Sequence, residues 1–211
     1  MLRRENVSTM FLDLTVQSLD TQLLLLINHG TANTLFDVLM PALTSHGYLL
    51  VLPFLLYMIV SSADRMDAQG KRLLSTALWT IVISCCAFFL AEWVEAVVKN
   101  AVARERPCTA IEGIRLIAGC PKSYSLPSGH AISSFACAVP LYILSREYMM
   151  MQWRLYPLAL ASIIAFSRLY LGVHYPTDIL TGALLGSMIG LALSVLYRQV
   201  MRTNEIMKWK K

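Results

Sequence analysis

The amino-acid sequence predicts an all-α membrane protein, a polytopic helical bundle formed by one domain over residues 1–211. The chain has 56% hydrophobic residues, 15% charged residues and a mean hydropathy of +0.56. A typical soluble domain has about 25% charged residues. The apolar residues also fall into long blocks, which is typical of membrane-spanning helices and excludes a disordered or collagen-like chain.

Five of these blocks are predicted to span the membrane, since a helix needs about 20 residues to cross it. They are Ala42–Val60, Leu73–Val98, Ala131–Leu144, Leu155–Leu171 and Ile179–Tyr197. Polar residues interrupt the segment 1–41, which predicts one or two amphipathic interfacial helices broken near Gly30. A sixth span in this segment is the alternative.

The basic residues are distributed in a way that predicts topology. The net charge of +5 is spread over short loops and not gathered in one stripe, so a nucleic-acid partner is not expected. With five spans, ten of the 18 Lys and Arg residues lie on one side, in the loops Ser61–Arg72 and Ser145–Arg154 and in the basic tail 198–211. The positive-inside rule makes this side cytoplasmic. The long loop Lys99–Pro127 then faces outward.

Two of the five cysteines, Cys108 and Cys120, lie in this outward loop. They form a disulfide if the loop meets an oxidising compartment, and remain free thiols otherwise. No cysteine stands in a CxxC pair or beside histidines at metal-binding spacing, so no metal site is expected.

Three polar clusters lie at helix ends on the same predicted side of the bundle 42–197, within residues 99–178. They are KNAVARERP, with Lys99, Arg104 and Arg106; PSGH, Pro127–His130; and SRLYLGVHYPTD, with Ser167, Arg168, His174 and Asp178. Cations and helix-start N–H groups bind phosphate well, and the arginine fork matches phosphate oxygens. The three clusters together predict an anion pocket formed by Lys99, Arg106 and Arg168.

The PSGH cluster is predicted to begin a helix. Ser128 can cap it, and Gly129 lets the backbone approach a ligand closely. An ordinary capped helix start is the alternative for this motif alone. Nearby, Glu95 precedes Lys99 by four residues and can pair with it, or be exposed at the interface. Arg104 belongs to the cluster or contacts a lipid head group.

His174 and Asp178 are four residues apart, with Pro176 between them. A helix that begins near Pro176 places Asp178 in its first turn, where its carboxylate can orient one imidazole nitrogen. The other nitrogen is then free to attack phosphorus, and His130 can protonate the leaving oxygen. A hydrogen-bonded interface histidine is the alternative for each histidine by itself.

At these residues the sequence resembles the type 2 phosphatidic acid phosphatase superfamily. The pattern of that family is Lys, six residues, Arg-Pro; then Pro-Ser-Gly-His; then Ser-Arg, five residues, His, three residues, Asp. This chain fills every position, from Lys99 and Arg106–Pro107 through Pro127–His130 to Ser167–Arg168, His174 and Asp178. The motifs and their linking spans cover roughly Leu73 to Tyr197.

The resemblance implies a lipid phosphatase that uses no cofactor and no metal. It implies that Lys99, Arg106 and Arg168 hold the phosphate with help from Ser128 and Gly129, which donate hydrogen bonds. His174 would form a phosphohistidine, Asp178 would orient it, and His130 would be the general acid. These roles imply a substrate that is a lipid phosphate or diphosphate in the membrane.

The family resemblance also favours undecaprenyl diphosphate as the substrate and an active site on the outer face of a bacterial cytoplasmic membrane. Phosphatidylglycerophosphate, phosphatidic acid and the lipid A 1-phosphate are alternative substrates. A phosphotransferase built on the same residues, which passes the phosphate to a lipid or sugar acceptor, is a further alternative. A non-catalytic lipid binder would not require His174 and Asp178 at this spacing.

Overall fold

The computed structural model describes residues 7–63 and 68–209, and every regular element within them is helical. The long helices are α1 (Val7–Gly30), α2 (Thr34–His46), α3 (Val51–Ala63), α4 (Ala68–Val102), α6 (Gly129–Leu144), α8 (Tyr156–Tyr170) and α9 (Pro176–Trp209). Two single-turn helices, α5 (Pro107–Ala110) and α7 (Met151–Arg154), lie in connections. The prediction of an all-α bundle is confirmed.

Three helical stretches are long and apolar enough to cross a membrane within the described residues. They are Thr34–Ala63, Lys71–Ala110 and Pro176–Thr203. The predicted third and fourth spans correspond to α6 and α8, which have 16 and 15 residues and are too short for the same criterion. Each of the five predicted apolar blocks is therefore helical, and the chain is a multi-pass membrane protein.

The N-terminal segment differs in part from its prediction. The break near Gly30 is present, since α1 ends at that residue. The expected boundary at Ala42 is absent, because Ala42 lies inside α2, which continues through the 3-10 turn Gly47–Leu50 into α3. Residues 1–6 of the predicted interfacial segment lie outside the described residues. The first long apolar helical stretch therefore begins at Thr34.

The polar residues of this segment have protein partners. Buried Asn28 donates to the carbonyl oxygens of Arg115 at 2.9 Å and Tyr170 at 2.8 Å, and it accepts from the Arg115 N–H at 2.8 Å. Asp37 forms an ion pair with Arg115. These contacts attach α1 and α2 to α8 and to the loop Lys99–Pro127, called the outer loop after its predicted side. Polar interruptions that suggested an interface helix are thus also explained by tertiary contacts.

A close contact between α6 and α9 forms the centre of the bundle. Gly182, Gly186 and Gly190 follow one another every four residues on α9 and are all buried. A Cβ atom on Gly186 would lie 2.2 Å from the carbonyl oxygen of Ile132 on α6. Small residues at this spacing allow two membrane helices to pack backbone against backbone. This contact holds together the helix that carries His130 and the helix that carries Asp178.

Residues 198–209 of the predicted basic tail belong to α9, which ends at Trp209. The last two residues of the range 198–211 lie outside the described residues. At the opposite end of α9, the last residues of α4, the first residues of α6 and the connection between α8 and α9 lie close together, so the three polar clusters meet at one end of the bundle.

Candidate active site

A cavity of about 400 Å³ lies where the three clusters meet. Six of the eight predicted catalytic and phosphate-binding residues line it: Lys99, Arg106, Gly129, His130, Arg168 and His174. The other two, Ser128 and Asp178, are completely buried, and Asp178 is in contact with His174. Residues from the outer loop, Pro121 and Ser123, complete one side of the cavity.

The hydrogen bonds of His174 define its tautomer. Its Nε2 lies 2.9 Å from a guanidinium nitrogen of Arg106, and its Nδ1 lies 3.4 Å from Oδ2 of Asp178. A guanidinium can only donate, so Nε2 accepts and the proton resides on Nδ1. Burial lowers the pKa of His174; the hydrogen bond to Asp178 raises it in part and Arg106 lowers it again. The imidazole is therefore neutral, with its lone pair on Nε2, which is the form that can attack phosphorus.

Asp178 is held by a set of donors. It lies in the first turn of α9, which begins at Pro176 as the spacing predicts. Its Oδ2 accepts from the Ser125 hydroxyl and from the backbone N–H of Tyr175 at 2.8 Å. Its Oδ1 accepts from Arg104 at 2.7 Å. Each donor restricts rotation of the carboxylate and directs Oδ2 toward the imidazole.

Arg106 is fixed by the loop that surrounds it. It donates to the carbonyl oxygen of Ser123 at 2.6 Å, to the Ser123 hydroxyl at 2.9 Å and to the carbonyl oxygen of Val173 at 2.9 Å. Lys99 forms the predicted ion pair with Glu95, at 2.6 Å. Both cations that line the cavity are thereby oriented, which reduces the reorganisation needed when an anion binds.

Arg168 and Ser128 each have a buried donor without a partner in the described part of the chain. Arg168 donates to the Thr44 hydroxyl at 3.0 Å, but its Nε has no hydrogen-bond partner among the described residues. Ser128 occupies the N-cap position of α6, yet its side chain does not cap the helix, and its buried hydroxyl also has no partner there. The expectation that Ser128 caps by its side chain is therefore wrong. A buried donor without a partner costs free energy, and a phosphate oxygen would recover it.

His130 is held between α2 and its own helix. Its Nε2 donates to the carbonyl oxygen of Thr44 at 3.2 Å, and its ring lies 6.0 Å from the ring of Tyr48 between centroids. Burial lowers the pKa of His130, and the positive charge of Arg168 lowers it further, partly offset by the bond to Thr44. An anion in the cavity would act in the opposite direction and favour the protonated form.

Gly129 lies against a carboxylate. A Cβ atom at this position would lie 2.4 Å from an Oε atom of Glu95, the residue that pairs with Lys99. Glycine therefore leaves room for the Glu95–Lys99 pair beside the start of α6. The expected close approach of the Gly129 backbone to a ligand stays a prediction.

The sequence interpretation assigned no role in the site to three side chains that hold it, Ser125, Thr44 and Asp20. Ser125 and Thr44 contact Asp178 and Arg168, respectively, and they are single hydroxyl residues without a motif. Arg104 was assigned to the cluster or to a lipid head group, but the structure directs it inward to Asp178 and to Asp20 on α1. The signal that could have indicated Asp20 is its charge in a segment that is otherwise apolar around it.

The outer loop is closed by a disulfide and packs against the bundle. Cys108 and Cys120 form a disulfide. Cys108 and Ile117 pack against a buried cluster that contains Tyr170 and Val173, at the end of α8. The loop that supplies Ser123 to the cavity is thus fixed at two places. Of the two alternatives for these cysteines, the structure has the bonded one.

Fold and site together define a helical membrane protein with a cavity that is lined by three cations and by a neutral, oriented imidazole. In the described residues, no group of three or more His, Cys, Asp or Glu side chains is arranged to hold a metal ion. The model of the PAP2 superfamily matches residues 77–202, and the chain belongs to this superfamily. The matched range contains all three clusters.

Two known proteins of similar sequence have names that refer to polyprenyl lipids. An undecaprenyl-diphosphatase of Sulfolobus acidocaldarius is 37% identical over 129 residues, which are 61% of this chain and 57% of the relative. A decaprenylphosphoryl-5-phosphoribose phosphatase of Mycolicibacterium smegmatis is 42% identical over 94 residues, 44% of this chain and 47% of the relative. The chain thus spans about half the length of these curated relatives.

A solved structure has the same fold. The transmembrane PAP2 type phosphatidylglycerolphosphate phosphatase from Bacillus subtilis superposes with a TM-score of 0.61 at 22% identity and covers 88% of both chains. The likeness extends beyond the matched family region. It establishes the shared arrangement of helices.

Proposed function

We propose that this protein is a lipid phosphatase that removes the terminal phosphate from a lipid phosphate or diphosphate, with undecaprenyl diphosphate as substrate and undecaprenyl phosphate as product. The observation that carries the proposal is the convergence of Lys99, Arg106, Arg168, His130 and His174 on one cavity. The similarity to an undecaprenyl-diphosphatase supports the choice of substrate.

The proposed reaction has two steps and needs no metal. In the first, Nε2 of His174 attacks phosphorus, an N–P bond forms, and the P–O bond to the lipid breaks while His130 gives a proton to the leaving oxygen. In the second, water attacks phosphorus, the N–P bond breaks, and His130 accepts the proton from water. Lys99, Arg106 and Arg168 balance the charge on the phosphoryl oxygens in both steps.

Phosphate release by purified protein in detergent tests this proposal. Undecaprenyl diphosphate, phosphatidylglycerophosphate, phosphatidic acid and lipid A are compared in the presence of EDTA. We expect release with wild type, fastest from undecaprenyl diphosphate, and none with His174→Ala. His46→Ala is the matched control, since His46 is exposed and does not line the cavity. Release from no substrate, or activity that requires a metal, would contradict the proposal.

The covalent intermediate has its own test. Substrate labelled in the terminal phosphate should transfer the label to wild-type protein as an acid-labile, base-stable phosphoramidate during brief mixing. His130→Asn should accumulate the label if His130 activates water in the second step. Transfer of label to an added lipid or sugar acceptor in preference to water would favour a phosphotransferase.

We further propose that the cavity faces the outer side of a bacterial cytoplasmic membrane. The disulfide in the outer loop supports this orientation, because disulfides persist in oxidising compartments. The test uses a membrane-impermeant maleimide on whole cells and a protein in which the free cysteines are replaced by alanine. Glu112→Cys in the loop should react and Lys71→Cys, at the start of α4, should not. The reverse pattern would refute the orientation.

A further inference from the structure

Asp178 has a charged partner, Arg104, besides the neutral imidazole of His174. Its Oδ2 lies 3.4 Å from Nδ1 of His174, and its Oδ1 accepts from a guanidinium nitrogen of Arg104 at 2.7 Å. The carboxylate is completely buried, so solvent does not compete for either oxygen. Arg104 therefore holds the oxygen that His174 does not use.

Arg104 connects Asp178 to the N-terminal helix. Its second guanidinium nitrogen lies 2.7 Å from Oδ2 of Asp20 on α1, a residue only 2% exposed. The other oxygen of Asp20 accepts from the backbone N–H of Thr177 at 2.9 Å. This N–H belongs to the first turn of α9, where backbone donors have no partner within the helix. A carboxylate from α1 thus accepts the hydrogen bond of a helix-start N–H in α9, one residue before Asp178.

Arg104 does not contribute to the phosphate cavity. It does not line the space that Lys99, Arg106 and Arg168 surround. It borders a separate cavity of about 420 Å³ together with Gln17 of α1 and Thr177. Its guanidinium also lies 4.0 Å from the centre of the Tyr175 ring. Its contacts are thus on the side of Asp178 that faces away from the substrate.

We infer that Asp20 and Arg104 are positioning residues for the nucleophile His174. Asp20 keeps a net negative charge on the Nδ1 side of His174, where Asp178 lies. The inference rests on the proposed function. Asp20, Arg104 and Asp178 carry one net negative charge together. Without Asp20, the pair Arg104 and Asp178 would be neutral.

The charge matters because the imidazole becomes positive as Nε2 forms its bond to phosphorus. A carboxylate hydrogen-bonded to Nδ1 stabilises this charge, as in other sites where a third group orients a histidine. Arg104 alone would oppose that stabilisation while it orients the carboxylate. Asp20 balances Arg104, so the orientation of Asp178 is kept and its charge remains effective. Substrate binding uses the other three cations and is not affected directly.

The first test separates kcat from KM. Asp20→Asn keeps the size of the side chain and an oxygen that can accept from Thr177, but it removes the charge. We expect kcat to fall about tenfold or more, as losses of orienting partners commonly do, while KM changes less than about twofold. An unchanged kcat would overturn the inference. A loss confined to KM would overturn it as well, because it would assign Asp20 to binding.

The matched control is Asp37→Asn. Asp37 also joins the N-terminal region to the outer loop, through its ion pair with Arg115, but it does not contact Asp178 or His174. We expect its unfolding temperature to fall while kcat stays within about twofold of wild type. Equal losses of kcat in Asp20→Asn and Asp37→Asn would mean that both ion pairs act only by supporting the fold, which would refute the inference.

A double variant tests the charge argument. Asp20→Asn with Arg104→Gln restores one net negative charge on the group, which Asp178 alone then carries. We expect the double variant to lose less kcat than the product of the two single losses, because the two positions are coupled. Independent, multiplicative losses would refute the role of charge.

Arg104→Lys provides a second route if Asp20→Asn does not fold. Lysine keeps the charge, but one ammonium group cannot donate to Asp20, Thr177 and Asp178 in the geometry of the guanidinium fork. We expect a reduced kcat at constant KM, and wild-type kcat would overturn the inference. If wild type itself releases no phosphate from any lipid, the proposed function fails. If wild type is active and these variants match it, only the present inference fails.

Discussion

Replacement of Gly186 by alanine should separate the two central helices. The new Cβ would lie 2.2 Å from the Ile132 carbonyl oxygen and 3.0 Å from the Ala136 nitrogen, where ordinary contacts begin near 3.4 Å. Both neighbours are backbone atoms of α6, so neither can rotate away. At this point α9 must therefore withdraw from α6 by about 1.2 Å or more, a strain of the kind caused by overpacking.

The expected cost follows from that displacement. Overpacking costs about 1–3 kcal/mol when side chains can adjust, and we expect about 3 kcal/mol or more here because the backbone cannot. For a chain of this size, 1 kcal/mol corresponds to roughly 2–4 °C, so the unfolding temperature in detergent should fall by about 6–12 °C. Tryptophan fluorescence during heating would measure it.

The same substitution should reduce activity below its unfolding temperature. The strained contact lies between the helix that carries His130 and the helix that carries Asp178, and a displacement near 1 Å can cost about 100-fold in rate. Gly119→Ala is the control, since nothing lies within 4 Å of its added Cβ. A fall of less than about 2 °C for Gly186→Ala would refute the packing argument.

Three further results are expected. Cys108→Ala with Cys120→Ala removes a disulfide with a sequence separation of 12 residues and should lower the free energy of unfolding by about 3 kcal/mol. An unfolding temperature equal to that of oxidised wild type would contradict this. Tungstate binding should take up as much as one proton near pH 7, because burial keeps the pKa of His130 low without a bound anion and the bound anion raises it. Affinity should therefore weaken as pH rises, and calorimetry in buffers of different ionisation enthalpy should find no uptake with His130→Asn; equal uptake in that variant would exclude His130. Asn28→Ala leaves buried groups of the outer loop and α8 unpaired and should cost about 2–3 kcal/mol in thermal unfolding, whereas the exposed control Gln22→Ala should cost almost nothing; equal effects would contradict the role of Asn28.

The predicted site residues could be recognised because their chemistry is carried by residue type and spacing. Arginine, lysine and histidine at helix ends indicate an anion pocket before any contact is known, and the four-residue interval from His174 to Asp178 matches a helix start. The roles assigned to these residues stay predictions until the experiments above are made. Residue spacing could not predict the direction in which each side chain points, as Arg104 shows. It lies only two residues from Arg106 but turns to the other side of Asp178.

Ser128 shows a second kind of difference. A serine before a helix usually caps it, which is a local preference, yet here the buried hydroxyl has no partner among the described residues. The N-terminal segment shows a third. Its polar interruptions predicted contact with the membrane interface. Asn28 and Asp37 instead bind Arg115 in the outer loop, which lies 87 and 78 residues further along the chain.

The sequence by itself determined the all-α membrane class, the apolar blocks and the residues that carry the chemistry, because hydropathy, charge and short motifs are local properties. Only the tertiary structure decided which side of Asp178 each arginine occupies, that Asp20 on α1 reaches the start of α9, and that three glycines bring α6 against α9. These features depend on atoms that are distant in sequence and meet only when the helices pack.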